Sequence, residues 1–331
     1  MKILLIRFSS IGDIVLTSPV SRIVKTQVPG ANVHYLTRKK FKSLLEFDPY
    51  IDQLHLFDEN LSSIIHELKK EKFDLILDLH NNLRSRIIAI ALNRPTVHFS
   101  KENIRKWLYV RFKKDYLPNT HIVDRYLKTA SILGIENDNK GLGFYPCECE
   151  SVSEQDLPEA FHNRKFVVFS IGGTHATKRM PAVKWLEILS WIPAPVLIIG
   201  GKEDREAGET IINGNAGFPG QYIWNACGQF SIGGSSYLIQ LSSMIITHDT
   251  GMMHIAAAFK KPTVAIWGNT TPRLGMYPYQ TEFINLEVKD LQCRPCSKIG
   301  FSACPEGHFQ CMVKQDTQSP VLQSFVQRFL K

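Results

Sequence analysis

With 331 residues, 44% of them hydrophobic, the chain is long enough to bury a large core and to divide into two domains. It has no uncharged run of roughly 18 residues, which argues against a transmembrane helix, and the apolar start Met1–Phe8 is too short for a signal peptide and lacks a small-residue cleavage site. A formal net charge of +8 and a pI near 9.0 favour anionic partners without choosing among nucleic acid, anionic lipid and phosphorylated sugars. The corresponding expectation is a cytoplasmic protein whose seven cysteines are mostly reduced.

Taken in order, Lys2 to Arg7 reads as a strand and runs into Phe8-Ser-Ser-Ile-Gly-Asp-Ile-Val-Leu-Thr-Ser-Pro19. An amphipathic helix then extends to about Gln27, where Pro29-Gly30 stops it. Strand Asn32 to Thr37, helix Phe41 to Phe47, strand Gln53 to Phe57, helix Leu61 to Lys70 and strand Phe73 to Leu79 continue the alternation. The polar stretch Glu136 to Lys140 and the Pro/Cys/Glu/Ser-rich stretch Pro146 to Pro158 mark a boundary, giving domains 1–150 and 151–331. The pattern restarts with strand Phe166 to Ser170, helix Pro181 to Trp191 and strand Pro195 to Ile199. Strand Ser242 to Thr247, helix Met252 to Phe259, strand Thr263 to Trp267 and a terminal helix from Ser319 to Lys331 complete it. Strands alternating with helices predict the α/β class with two doubly wound parallel sheets, two Rossmann-like domains facing a central cleft.

Three loops carry the chemistry. Met244-Ile-Ile-Thr-His-Asp-Thr-Gly-Met-Met-His254 reads as buried strand, small-residue turn and helix start, a geometry that points free N–H groups and a positive dipole end at a phosphate or diphosphate. Thr250 can add a hydroxyl there and His254, one turn into the helix, can face the same crevice, although Asp249 or Thr250 as a plain N-cap and His254 as a core residue would also explain the pattern. Gly172-Gly-Thr-His-Ala-Thr-Lys-Arg179 adds hydroxyls and cations, with Lys178 reaching as a point charge and Thr174 as a donor. In Gly200-Gly-Lys-Glu-Asp-Arg-Glu206, Glu203 is suited to ribose hydroxyls, with Asp204 and Glu206 as equals. The first loop, Ser9-Ser-Ile-Gly-Asp13, lacks the G-x-G-x-x-G spacing of dinucleotide sites, and Asp13 is better suited to accepting a proton from a hydroxyl or to capping a helix.

The motifs Arg7-Phe-Ser-Ser-Ile-Gly-Asp13, Asp78-Leu-His-Asn-Asn-Leu-Arg-Ser85, His121-Ile-Val-Asp-Arg-Tyr126, Lys178-Arg-Met-Pro181 and His248-Asp-Thr-Gly-Met-Met-His254 together resemble those of the ADP-heptose:lipopolysaccharide heptosyltransferases, glycosyltransferase family 9. The resemblance spans nearly the whole chain and implies a GT-B fold that holds the acceptor in the first domain and the nucleotide sugar in the second. It implies Asp13 as catalytic base, Lys178 and the Thr250-Gly251 turn on the diphosphate, Thr174, Asp249 and His254 in the donor pocket, and Arg84 and His121 on an anionic acceptor. The loop at Thr174 departs from the family's usual spacing of hydroxyls. The implied reaction is inverting transfer of heptose from ADP-heptose to the lipid A-core acceptor, without a metal cofactor. A related transferase using another nucleotide sugar, or a sugar-nucleotide-binding protein without turnover, is the alternative.

Cys293, Cys296, Cys304 and Cys311 share one loop. Their long later spacings favour packed free thiols over a structural zinc, with a disulfide last. Basic runs with interleaved aromatics, Arg38 to Lys42 and Arg105 to Lys114, read as solvated helix faces or as a surface for the anionic inner membrane on its cytoplasmic side. No nucleic-acid-reading motif accompanies them.

Overall fold

Strand β1 (Lys2–Ile6) is a run of Ile and Leu without alternation, and it buries every residue after the first, as a strand covered on both faces should. In the computed structural model, which describes residues 1–215 and 221–331, β1 is the central strand of a five-stranded sheet. Helices α1 (Ile11–Val15) and α2 (Ser18–Gln27) follow. Helix α2 is the one expected to run to about Gln27, and it starts with Pro19 in its first turn, where the missing N–H has no helical partner to lose; the short α1 forms within the stretch that precedes it. Then come β2 (Asn32–Arg38), β3 (Gln53–Phe57), α3 (Leu61–Glu71), β4 (Leu75–Asp78), α4 (Leu83–Leu92) and β5 (Thr96–His98). Between β2 and β3 a 3-10 turn over Lys39–Leu44 replaces the expected α-helix.

All pairings are parallel, in the order β3-β2-β1-β4-β5. Leu4, Ile6, Phe8, Leu36, Phe57, Leu68, Phe73, Ile76 and Ile88 form one core cluster of this unit, against α3 and α4. The chain winds outward from β1 through β2 and β3, then reverses to β4 and β5. This places the topological switch between β1 and β4, with Asp13 in the first turn of the helix after β1 and Asp78 at the end of β4.

The chain divides into two compact units: 1–102 with 120–148, and 103–119 with 149–331. Helix α6 (Ile122–Thr129) belongs to the first unit, but α5 (Asn103–Phe112) belongs to the second, an excursion that the division of the sequence at residue 150 does not contain. The physical reason is a set of long-range bonds. Arg273 pairs with Asp115 at 2.6 Å and donates to the carbonyls of Leu117 and Pro118, while Lys113 donates to those of Cys293 and Pro295.

The second unit contains β6 (Val167–Ser170), α7 (Ala182–Leu189), β7 (Val196–Ile199), α8 (Arg205–Gly214), β8 (Ile223–Asn225), α9 (Ile232–Leu241), β9 (Met244–His248), α10 (Gly251–Ala258), β10 (Thr263–Trp267), β11 (Phe283–Glu287), α11 (Gln310–Val313) and α12 (Pro320–Leu330). Its six strands are parallel in the order β11-β10-β9-β6-β7-β8. Here the winding reverses between β6 and β9. Among the described residues no helix is long and apolar enough to cross a membrane. Cys147 and Cys149 are disulfide-bonded, and the other five cysteines are free, in keeping with mostly reduced thiols.

Candidate active site

At the β6/β9 switch two loops meet. The loop after β6 is pinned by His248, the last residue of β9, which is fully buried. The Met180 N–H donates to Nε2 at 2.9 Å, and Nδ1 lies 3.3 Å from the Gly172 carbonyl. An amide can only donate and a carbonyl can only accept, so the ring is neutral with its proton on Nδ1. Burial pushes its pKa down to about 4 against the partial opposition of the Gly172 carbonyl, with the nearby Arg179 and Lys178 adding to the decrease.

This clamp delivers Lys178 to Asp249. Its Nζ lies 2.6 Å from Asp249 Oδ2 and 3.0 Å from the Asp249 carbonyl, and both side chains are mostly buried. Thr270 Oγ1 donates to the same carboxylate oxygen at 2.8 Å. An ammonium has three protons, so two bonds to Asp249 leave one for another acceptor. Asp249 is followed by Thr250, the N-cap of α10, whose side chain makes no capping bond. Among the described residues, neither its hydroxyl nor either polar atom of the buried Asn269 amide has a hydrogen-bond partner. Plain capping therefore does not account for Thr250. The uncapped first-turn amides, the hydroxyl and the ammonium together form a place for an anion with several oxygens.

The neighbouring loop after β7 is close enough that a Cβ at Gly172 would sit 2.6 Å from Asp204 Oδ2. Asp204, not Glu203, is the carboxylate turned into this cluster. It is buried, accepts from the Gly201 N–H at 2.8 Å and faces Arg179 Nη1 at 3.4 Å. Glu203 is exposed at the same edge, as is Thr174. The cysteine loop braces the site from behind. Phe301 exchanges hydrogen bonds with Thr177, Arg294 donates to the carbonyls of Gly268 and Thr270, and the Cys296 N–H donates to that of Asn269. Cys293 Sγ lies 3.8 Å from His308 Nε2, and the Cys296 thiol donates to the Cys293 carbonyl. Among the described residues, the group of three metal-capable side chains with ligand atoms within 4.8 Å is His34, His55 and Glu71, not the cysteines.

In the first unit, Asp13 sits in the first turn of α1. Arg7 Nη2 is 2.7 Å from Oδ1, and Ser10 donates to Oδ2 through both its N–H (3.2 Å) and its hydroxyl (2.8 Å). Arg7 is itself buried, bonded to the carbonyls of Ser9 and Leu79 and set over the Tyr126 ring. Burial alone would lower the Arg7 pKa, but the charge of Asp13, with Tyr126 and Tyr35 behind it, outweighs burial and raises it. The Asp13 side chain keeps 21% exposure, so this anionic carboxylate remains reachable. Asp78, fully buried, organises the loop after β4 by accepting from His80 N–H, Asn81 N–H and the Ser85 hydroxyl. Arg84 is exposed on the first turn of α4, with no ion pair among the described residues. His121 is the buried N-cap of α6, and its Nδ1 accepts from the Val123 N–H.

The profile of glycosyltransferase family 9 (heptosyltransferase) matches residues 61–305. The chain belongs to this family. It is 27% identical over 293 residues to lipopolysaccharide heptosyltransferase 1 of Campylobacter coli, covering 82% of this chain and 84% of that protein. It is 25% identical over 296 residues to lipopolysaccharide heptosyltransferase 2 of Salmonella typhimurium, covering 82% and 84%. The structure of E. coli ADP-heptose lps heptosyltransferase II superposes with a TM-score of 0.72 at 19% identity, covering 100% of this chain and 98% of that one. The fold is GT-B, and the protein is a glycosyltransferase of the heptosyltransferase family.

Within this family 9 enzyme the structure brings Lys178, Asp249, Thr250 and Gly251 together, with His254 buried in the same first turn of α10. The sequence reading passes over Thr270, Asn269 and His248. The first two follow β10 without a motif, whereas His248 is visible as the histidine opening His248-Asp-Thr-Gly. His248 also makes the fold acid-sensitive. The unfolded chain takes up a proton near the ordinary histidine value of 6.5, while the folded site resists until about 4, so this contribution is complete above 6.5 and disappears as pH falls from 6.5 to 4. For a fully buried ring this is on the order of 3 kcal/mol. Buried His34, at about 4, has the same sign; Asp48, raised to about 6 by burial, opposes it. Denaturant unfolding of His248→Asn across that range should show a shallower pH slope than the parent protein. An unchanged slope would show that the clamp does not stay neutral.

Proposed function

We propose that this glycosyltransferase moves heptose from ADP-heptose to a sugar hydroxyl of the lipopolysaccharide inner core, inverting the anomeric centre in one displacement, at the cytoplasmic face of the inner membrane. The observation that carries the reading is the Lys178 ammonium held beside the uncapped start of α10, with the Thr250 hydroxyl unpaired next to it. Relatives named as lipopolysaccharide heptosyltransferases, and a superposable structure named for ADP-heptose, support the donor and acceptor class.

As the acceptor oxygen bonds to the anomeric carbon, Asp13 takes the hydroxyl proton. The bond from that carbon to the diphosphate oxygen breaks, and its electron pair leaves with ADP. Charge thus grows on the diphosphate, where Lys178 and the α10 amides are already oriented to meet it. Asp249 keeps Lys178 in place, and Thr250 and His254 line the donor site. Thr174 and Glu203, at the rim of the same loops, serve the outer part of the nucleotide sugar. Arg84 serves the anionic acceptor, and His121 supports it by shaping α6. The transfer chemistry needs no cofactor. Mass spectrometry of products from defined Kdo- and heptose-ended core acceptors, each offered ADP-heptose and other nucleotide sugars, tests the proposal. It expects a heptosylated product from ADP-heptose, and transfer of another sugar in preference would overturn the donor assignment.

A further inference from the structure

Helix α5 is unlike the other long helices of its unit in having no buried residue. Ile104 (75% exposed) and Trp107 (54%) stand three positions apart on one side. Phe112 (53%) closes the end of the helix against Trp107 at a ring separation of 5.2 Å, and Tyr116 (60%) follows just beyond. Large apolar side chains grouped on water in this way mark a binding surface rather than scattered exposure. The opposite side is fastened: Tyr109 is hydrogen-bonded to the Thr271 side chain, Lys113 to the carbonyls of Cys293 and Pro295, and Asp115 to Arg273. The apolar face is therefore held out by a rigid attachment.

Its surroundings indicate what covers it. Between residues 101 and 116 there are six basic residues against two acidic ones, and Asp115 is already paired. Arg105, Arg111 and Lys114 are exposed around the aromatic side chains. A second copy of this chain would bring like charges together at this face. An anionic lipid surface would match the charge, while Trp and Tyr suit the headgroup level and Ile and Phe the acyl boundary. We propose that the exposed face of α5 is an interfacial lipid-binding surface that seats the second unit on an anionic bilayer. The proposal deepens the reading of a membrane-borne acceptor and rests on it for its purpose. Lipid binding itself is measured without any transfer.

The test is co-sedimentation with vesicles of phosphatidylcholine alone and of phosphatidylcholine with phosphatidylglycerol. The parent protein should bind the anionic vesicles at least tenfold more than the neutral ones, and less as salt rises. Trp107→Ala/Phe112→Ala and Arg111→Glu/Lys114→Glu should each reduce that binding at least tenfold, with thermal midpoint and turnover on a deacylated, soluble acceptor unchanged. Ile104→Ser is the milder variant should a pair fail to fold. Absence of binding by the parent protein, or equal binding by all variants, would overturn the proposal. So would a change in oligomeric state without a change in vesicle binding, which would assign the face to a second copy. Vesicle binding without heptose transfer would leave this surface standing and remove the substrate assignment.

Discussion

Asp13→Asn is expected to lower turnover by roughly two to four orders of magnitude, the range for loss of a positioned general base, while ADP affinity stays near the parent value. The amide keeps the size of the carboxylate and can still accept from Ser10, so the first turn of α1 persists. It cannot take a proton from the acceptor. It also leaves the buried Arg7 guanidinium without its anion, although the carbonyls of Ser9 and Leu79 still hold that side chain. Some loss of stability should accompany the kinetic effect, and the comparison belongs well below the variant's unfolding temperature. Turnover within a few-fold of the parent at saturating acceptor would exclude Asp13 as the base.

Lys178→Ala is expected to weaken ADP by about 1.5–3 kcal/mol, the contribution of a charge-assisted hydrogen bond, and adenosine hardly at all. Turnover should fall with affinity, because the diphosphate gains negative charge as the glycosidic bond breaks. The ion pair sharpens the expectation. Without Lys178, Asp249 remains as an uncompensated anion beside the same site, so part of the loss is repulsion. Lys178→Ala/Asp249→Asn should therefore recover some of the ADP affinity, the non-additivity expected of contacting residues. Arg179→Ala should do less, since Arg179 is engaged by the Gly173 carbonyl and Asp204. Calorimetric titration of ADP into these variants decides the matter. If neither single alanine variant loses more than a few-fold affinity, the loop does not hold the diphosphate.

The parts of the fold legible in the sequence are those written in local pattern. Short apolar and β-branched runs such as Ile3–Ile6 and Met244–Thr247 read as strands buried on both faces, and they are. Helix α9 is illegible for the opposite reason: Gly233 and Gly234 disfavour a helix locally, and burial of the first half of the element overrides them. The same divide runs through the site. The strand–turn–helix motifs place Lys178 and Asp249 at one sheet edge. That the two pair directly depends on a bond between residues 71 positions apart, and on His248 holding the intervening loop. Choosing among Glu203, Asp204 and Glu206 requires the curvature of a turn around Gly201, which composition does not encode.

The excursion of residues 103–119 into the second unit bears on modularity. A chimera made from two relatives with one crossover near residue 148 would join an Arg273 from one parent to an Asp115 from the other, and would ask a foreign Lys113 to find the carbonyls of Cys293 and Pro295. The second unit produced alone from residue 149 would lose those partners altogether. Units that look like two beads in succession are thus stitched, and exchanging either one intact requires three junctions in the gene rather than one.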